Sequence, residues 1–239
     1  MKVAVDTHTH TIASGHAYNT IREMALMASQ MGLEALAITD HGPMMPGGPH
    51  DFYFHNIRVL PREYYGIPVL FGAELNIMDE KGRVDLPERI IERLDITVAS
   101  LHSQCYGESK GFEKNTEAYL KIMQRMDVDI IGHPDDGYFE ADYEALVDMA
   151  KKTGTLLEVN NSSLTPGGSR RNTYENDLQM LKLCKKTGTM IVLGSDAHVD
   201  IDIANTKYSS KVLRDTEFPE ELIANTSYSK LISSMKRSR

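Results

Sequence analysis

Short apolar runs alternate with helical patterns along this chain, and this alternation is the feature that most constrains its fold. The runs lie at about residues 2–6, 35–39, 68–73, 96–100, 129–132, 155–159 and 189–193, and the helical patterns at 20–31, 87–93, 113–124, 143–152 and 172–186. Short, continuous apolar runs are typical of parallel strands that are covered on both faces. Seven strand–helix units without a linker therefore predict a closed or nearly closed parallel α/β barrel, with a doubly wound open sheet as the alternative.

Helix caps and breakers set the remaining element boundaries. Gly32, Gly154 and Gly188 are predicted to end three of the helices, since glycine is favoured just after a helix. The segment 42–49 is too rich in glycine and proline to be helical. A further, weakly patterned helix is predicted at 56–65, a polar loop at 200–219 and a last short helix at 228–235.

Length and charge restrict the class of protein. The 239 residues suit one domain spanning 1–239. The formal net charge of −8 argues against a nucleic-acid or anionic-membrane surface, because both would repel the chain. No apolar run approaches the roughly 20 residues that span a bilayer, and two cysteines without a pairing pattern fit a reducing compartment. We expect a cytoplasmic protein, and the sequence leaves its oligomeric state open.

Six of the nine histidines directly follow the apolar runs. Barrel enzymes assemble their active sites at the carboxyl ends of the strands, so these imidazoles are expected to meet. His8 and His10 are two residues apart, which points both side chains to one side of a strand, and Asp196 and His198 repeat that spacing. The candidate metal ligands are His8, His10, His16, His41, Glu74, His102, His133, Asp196 and His198.

This ligand set indicates a polynuclear metal site. Histidine and carboxylate without cysteine suit zinc, iron or manganese and disfavour a closed thiolate site. The set is too large for one tetrahedral ion, so two or three ions are expected. Glu74 is the best candidate for a carboxylate shared between ions, because it is the only carboxylate at the end of its strand.

Seven motifs together resemble the PHP (polymerase and histidinol phosphatase) family. They are Asp6-Thr7-His8-Thr9-His10, His16, Thr39-Asp40-His41-Gly42, Gly72-Ala73-Glu74, Leu101-His102, Gly132-His133-Pro134 and Gly194-Ser195-Asp196-Ala197-His198. The resemblance covers nearly the whole chain and implies a distorted seven-stranded (β/α) barrel of the TIM-like kind. The segments 42–50 and 158–163 are similar to the YcdX-like branch of stand-alone PHP proteins, which the resemblance associates with phosphatase activity and three zinc ions.

The resemblance also implies how the ligands divide among three ions. The three implied groups are His8 with His10, Glu74 and Asp196; Glu74 with His102 and His133; and His16 with His41 and His198. Three divalent ions and two carboxylates would give the site a formal charge of about +4 before water or substrate is counted. Such a charge favours a phosphate substrate over a neutral amide.

The expected reaction is hydrolysis of a small phosphoric monoester by a metal-bound water, which needs no separate protein nucleophile. Arg170 or Arg171 is expected to hold phosphate oxygens through the planar guanidinium fork. His50 and Asn160 are further candidates for substrate contact. Asp6 and Asp40 precede ligand histidines and are candidates for orienting them, with capping of the barrel end as the alternative.

Other functions remain compatible with the pattern. One is another metal-dependent hydrolase, either a phosphodiesterase or nuclease, or an amidohydrolase-like enzyme. No lysine lies in an apolar strand where it could be carboxylated as a bridge, and the acidic chain shows no basic groove. The other is a non-catalytic metal-binding protein, although a structural site normally needs fewer ligands.

Overall fold

The computed structural model describes residues 3–236 and forms a nearly closed barrel of seven parallel strands. The barrel strands, in their order around the sheet, are β1 (Val5–Asp6), β2 (Ala35–Ile38), β4 (Ile67–Asn76), β5 (Ile96–Ser100), β6 (Ile130–Ile131), β7 (Leu156–Asn160) and β8 (Ile191–Gly194). A short strand, β3 (Glu63–Tyr64), pairs antiparallel with β4. The predicted seven-stranded barrel is therefore confirmed.

Helices follow most of the strands and cover the outside of the barrel. They are α1 (Ile21–Gln30), α2 (Asp51–Asn56), α3 (Glu88–Ile91), α4 (Ser103–Tyr106), α5 (Phe112–Met123), α6 (Tyr143–Thr153), α7 (Thr173–Thr187), α8 (Ser209–Asp215) and α9 (Tyr228–Ser234). A reciprocal capping box between Thr20 and Glu23 starts α1. Gly154 and Gly188 end α6 and α7 in the left-handed conformation, as predicted.

Two apolar clusters lie on the two sides of the barrel wall. The outer cluster joins the strands to the covering helices and includes Met24, Ala25 and Ala28 of α1. The inner cluster contains the alternate side chains of the strands, such as Val5 and Val98. Leu231 and Met235 join the inner cluster, so the last helix α9 covers the amino-terminal end of the barrel and leaves the opposite end for the functional site.

The seam between β1 and β8 is closed by the side chain of Asn225 rather than by strand pairing along its whole length. Its Nδ2 donates to the carbonyl oxygens of Val5 and Leu193, at 2.8 Å each, and its Oδ1 accepts the Leu193 N–H at 3.1 Å. The residue is fully buried. Further along the seam, a parallel bridge between Thr9 and Ala197 joins the two loops that follow β1 and β8.

Two local predictions are wrong. The segment 56–65 is not one helix: α2 ends at Asn56, a single 3-10 turn covers Ile57–Val59, and a hairpin then connects β3 to β4. Tyr65 and Gly66, both with positive φ, form the two-residue turn of this hairpin, and glycine makes such a turn accessible. The segment predicted as a loop at 200–219 contains α8, whose first N–H groups, those of Tyr208 and Ser209, are accepted by Asn161 from a distant loop.

Candidate metal centre

The nine candidate ligands meet at the carboxyl-terminal end of the barrel. They are supplied by the ends of the strands and the loops after them: His8, His10 and His16 after β1, His41 after β2, Glu74 in β4, His102 after β5, His133 after β6, and Asp196 and His198 after β8. Parallel strands place all their carboxyl ends at one edge, which explains why residues far apart in the chain converge.

Glu74 lies at the centre of this group and is only 1% exposed. Its two oxygens face five imidazoles. The distances to ring nitrogens are, for Oε1, 3.4 Å to His8, 3.3 Å to His102 and 3.0 Å to His133, and, for Oε2, 2.5 Å to His41 and 3.6 Å to His10. One carboxylate among several imidazoles is the arrangement that a bridge between metal ions requires.

The spacing of the donor atoms fits metal coordination. Ligands about 2.0–2.2 Å from a tetrahedral zinc ion lie about 3.3 Å from one another. Nε2 of His10 and Oδ1 of Asp196 are 3.3 Å apart, and Nε2 of His8 is 3.4 Å from Oε1 of Glu74. Within the described residues, the buried Nε2 of His8 has no hydrogen-bond partner. A buried nitrogen in that state is unfavourable unless something binds it, and a metal ion would do so.

Three groups of described residues have donor atoms close enough to hold one ion. The groups are His8–His10–Glu74, His41–Glu74–His102 and His10–His41–His198, each with all donors within 4.8 Å of one another. The last group has His10 where the family resemblance implies His16. The His16 ring, exposed at the rim, lies 4.8 Å from the ring of His198 and 5.0 Å from that of His41, so it borders the same group.

Two candidate ligands have a strained backbone. Asp196 has φ of 56° and His133 has φ of 31°, in the left-handed region that residues with a Cβ seldom adopt. Such strain costs on the order of 1–3 kcal/mol per residue and tends to occur at functional sites. The surrounding contacts hold both residues there: Oε2 of Glu158 accepts the His133 N–H at 2.8 Å, and the Asp196 N–H donates to the carbonyl of His8 at 2.9 Å.

Glu158 is a functional candidate that the sequence pattern did not single out. Its Oε1 accepts from Nδ1 of His8 at 2.8 Å, and the residue is fully buried in β7. Gly194 makes room for this carboxylate, because a Cβ at that position would lie 1.9 Å from Oε1. The available signal was a charged residue inside an otherwise apolar strand, which is rare unless the charge has a partner.

Asp40 and Asp6 support the site in different ways. Asp40 accepts from the hydroxyl of Ser14 at 2.7 Å, and that hydroxyl lies 3.0 Å from Nδ1 of His10. Asp40 is therefore linked to the candidate ligand His10 through one intervening side chain. Asp6 contacts no imidazole among these residues: its carboxylate accepts the N–H groups of Ser195 at 3.1 Å and Ala204 at 2.7 Å, which anchors the loop that carries Asp196.

Burial and charge set the pKa values in the site. Burial lowers the pKa of His102 to about 4, although Glu74 opposes the shift. Burial, reinforced by His41, also holds the pKa of His10 well below its usual value. Burial acts against the ionised form of Glu74, but the surrounding histidines, His102 first, hold its pKa well below the usual range. The cluster thus presents neutral imidazoles at His10 and His102 beside an ionised Glu74, the forms that bind metal.

A cavity of about 360 Å³ opens directly over these residues. Its wall includes the candidate ligands His16, His41, His102, Asp196 and His198, together with Met45, Asp136, Tyr138, Arg170 and Arg171. The cavity is therefore lined both by candidate ligands and by other residues of both charges. Its volume suits a small molecule.

The four predicted substrate contacts have different positions. Arg170 lines the cavity, with Nη1 and Nη2 each 3.1 Å from Oδ2 of Asp196. Arg171 also lines it, with its guanidinium over the Tyr138 ring. Asn160 is fully buried beneath, where Nδ2 donates to Glu158 at 3.0 Å. His50 is not among the described residues that line the cavity; its side chain is 74% exposed at the start of α2.

The fold and site define a parallel α/β barrel with a histidine-rich centre at its carboxyl end. The PHP domain model matches residues 6–164, and the chain belongs to the PHP family. The matched range ends before Arg170, Asp196 and His198, which complete the same site. Across residues 3–236, none of the helices combines the length and apolar character that crossing a bilayer requires.

Similar proteins extend over the whole chain. A protein named "Probable phosphatase" from Caldanaerobacter subterraneus subsp. tengcongensis is 44% identical over all of this chain and 93% of its own length. Another of that name from Clostridium novyi is 46% identical over 99% of this chain and 96% of its own length. The crystal structure of histidinol phosphate phosphatase from Lactococcus lactis, complexed with zinc, L-histidinol and phosphate, has a TM-score of 0.65 and 19% identity, covering 90% of this chain and 94% of that one.

Proposed function

We propose that this chain is a metal-dependent phosphatase that hydrolyses a small phosphomonoester at a site for three divalent ions. The observation that carries the proposal is the convergence of five imidazoles on Glu74 at separations of 2.5–3.6 Å. The names of the relatives and the zinc and phosphate of the Lactococcus lactis enzyme support the same reaction. Zinc is the expected metal, and manganese or iron would suit the same ligands.

The nine predicted ligands are proposed to divide as the family resemblance implies. One ion is held by His8, His10, Glu74 and Asp196, a second by Glu74, His102 and His133, and a third by His16, His41 and His198. The short distances around Glu74 and Asp196 support the first two groups. The stacked rings of His16 and His198 support the third.

Divalent ions held here would supply a hydroxide nucleophile near neutral pH and offset the charge of the phosphoryl oxygens. Arg170 would have two roles, because its guanidinium both borders the cavity and bonds Asp196. It would hold Asp196 in place and contact the substrate. Arg171 would bind the phosphate from the outer wall, since it lines the cavity without a contact to a candidate ligand among the described residues. The resulting positive site would attract an anion despite the net charge of −8.

The wider assignment follows from the same features. We propose that residues 1–239 act as one hydrolase unit, because the site uses residues from β1 to the loop after β8. The substrate would be a small phosphorylated molecule, because a cavity of about 360 Å³ accommodates one. A nucleic-acid strand would not require such a cavity. A cytoplasmic location is proposed from the two unpaired cysteines, which fit a reducing compartment.

Metal content and hydrolysis measured on one preparation test the proposal. We expect about three ions per chain by elemental analysis, with chelator-sensitive hydrolysis of p-nitrophenyl phosphate and far slower reaction with bis-p-nitrophenyl phosphate or a cyclic amide. Glu74→Gln should lose both metal and turnover, and Glu144→Gln, an exposed position in α6, should lose neither. One ion or none after reconstitution, with no turnover, would contradict the proposal.

A further inference from the structure

Asn76 and Asp85 form a hydrogen-bonded chain behind His102. Nδ1 of His102 donates to Oδ1 of Asn76 at 2.7 Å, and Nδ2 of Asn76 donates to Oδ2 of Asp85 at 2.6 Å. Oδ1 of Asp85 also accepts the backbone N–H of Asn76 at 2.9 Å. We propose that Asp85 is a positioning residue that acts through Asn76 on His102, a role that rests on the proposed metal site.

The direction of the relay follows from donor and acceptor chemistry. An asparagine amide can turn either its oxygen or its nitrogen toward a neighbour. Both Asp85 oxygens accept backbone N–H groups, those of Met44 and Asn76, so this carboxyl group acts as an acceptor here. It therefore fixes Nδ2 of Asn76 on its own side and leaves Oδ1 to face His102. His102 must then carry its proton on Nδ1, which leaves the lone pair of Nε2 directed to the site, 3.3 Å from Oε1 of Glu74.

Other histidines of the site also have a hydrogen-bond partner behind the ring, but the chemical group of that partner differs. His8 faces the carboxylate of Glu158, and His10 faces the hydroxyl of Ser14. His102 faces a neutral amide, so the relay fixes its tautomer and direction without placing a full negative charge on the ring. Partners of this kind set the orientation and basicity of a metal ligand.

Asp85 also ties His102 to the cavity wall. Its Oδ2 accepts the N–H of Met44 at 3.0 Å, next to Met45, which lines the cavity. Gly42 permits this approach, because a Cβ there would lie 2.3 Å from Oδ2 of Asp85. One carboxylate therefore fixes both a candidate ligand and the loop over the substrate.

The test compares Asp85→Asn with Asp79→Asn. Asp79 is a matched control because it lies in the same connection between β4 and α3, is 8% exposed and holds backbone N–H groups of Lys81 and Arg83, but has no bond to Asn76 or His102 in the described residues. Zinc titration of the metal-free proteins with a chromophoric competitor measures the affinity for each ion. Asp85→Asn and Asn76→Ala should each weaken the binding of one zinc ion by about 10- to 100-fold. Asp79→Asn should leave the affinities for all the ions unchanged.

The double variant Asn76→Asp with Asp85→Asn separates the relay from the wall. The carboxylate introduced at position 76 would again accept from His102, and the amide introduced at position 85 would donate to that carboxylate. The single oxygen left at position 85 cannot accept both the backbone N–H of position 76 and the N–H of Met44. We expect zinc affinity to return to within a few-fold of the wild type. The KM for p-nitrophenyl phosphate should still exceed the wild-type value, because the Met44 N–H has lost its partner and the cavity wall is less well held.

Two outcomes would overturn the relay: equal loss of zinc affinity in Asp85→Asn and Asp79→Asn, or no recovery in a double variant whose circular dichroism matches the wild type. These outcomes are distinct from failure of the proposed function. A wild-type protein that binds the ions but hydrolyses no phosphomonoester would contradict the phosphatase proposal. The zinc titrations could still support the relay in that case.

Discussion

Oε1 of Glu158 lies 2.8 Å from Nδ1 of His8, and both side chains are fully buried. Burial disfavours the charged form of His8, but Glu158, with Glu74 and Asp196, raises its pKa well above the usual value. The carboxylate keeps the proton on Nδ1, so Nε2 is the atom that faces Glu74 and the proposed ion. A negative partner also makes an imidazole a stronger metal donor.

Replacement of Glu158 with glutamine should weaken metal binding by about 10- to 100-fold. The glutamine amide cannot accept from both the His8 ring and the His133 N–H, so one ligand loses its support. Elemental analysis after dialysis against a weak chelator measures the retained ions, with Glu144→Gln as the exposed control. Full retention of metal by Glu158→Gln would show that this carboxylate does not position the ligands.

Arg170 and Arg171 should differ in what their loss does. Arg171→Ala should raise the KM for a phosphomonoester by about 10-fold, as expected for loss of about 1.4 kcal/mol of binding, with unchanged metal content. Arg170→Ala should raise KM and also lower metal content, because its guanidinium holds Asp196 through two bonds at 3.1 Å. Steady-state kinetics and elemental analysis on the same samples check both. If the Arg170→Ala enzyme keeps its full metal content, Arg170 does not position the ligand Asp196.

The lowered pKa of His102 predicts an acid-dependent stability of the metal-free protein. The unfolded chain binds a proton at this residue below its ordinary pKa of about 6.5, and the folded chain binds one only near 4. Stability from this position is therefore complete above pH 6.5 and is lost as the pH falls toward 4. Relative to His102→Gln, the wild type should lose about 2 kcal/mol between about pH 7.5 and pH 5. Urea unfolding of both proteins measures the difference, and a constant difference would contradict the lowered pKa.

Asn225 should be important for stability although it lies far from the site chemistry. Asn225→Ala would leave the buried carbonyls of Val5 and Leu193 and the N–H of Leu193 without their partner, at a cost of about 3 kcal/mol. Asn56→Ala, at an exposed position, should change stability by less than about 0.5 kcal/mol. Urea unfolding with metal bound gives both values. Equal stabilities would mean that the seam does not depend on the amide.

The sequence was sufficient for the barrel and for the candidate ligands because both depend on local signals. Each strand is a short apolar run, and every candidate ligand except His16 lies within four residues of the carboxyl end of a strand, so parallel topology brings them close together. Glu158 was not singled out because its role depends on contact with His8, 150 residues away in the chain. The helix α8 was not predicted because Asn161 caps its start from a distant loop.

The Asn225 seam has a consequence for the order of assembly during synthesis. His8 emerges from the ribosome long before its neighbour Asp196, and the Asn225 amide that closes the seam comes later still. Until then the free edge of β1 is open to wrong pairing, a hazard that grows with the time for which an edge stays exposed. If the proposed ion at His8 and Asp196 is acquired only after Asn225 has closed the seam, its loading would report that the barrel has closed.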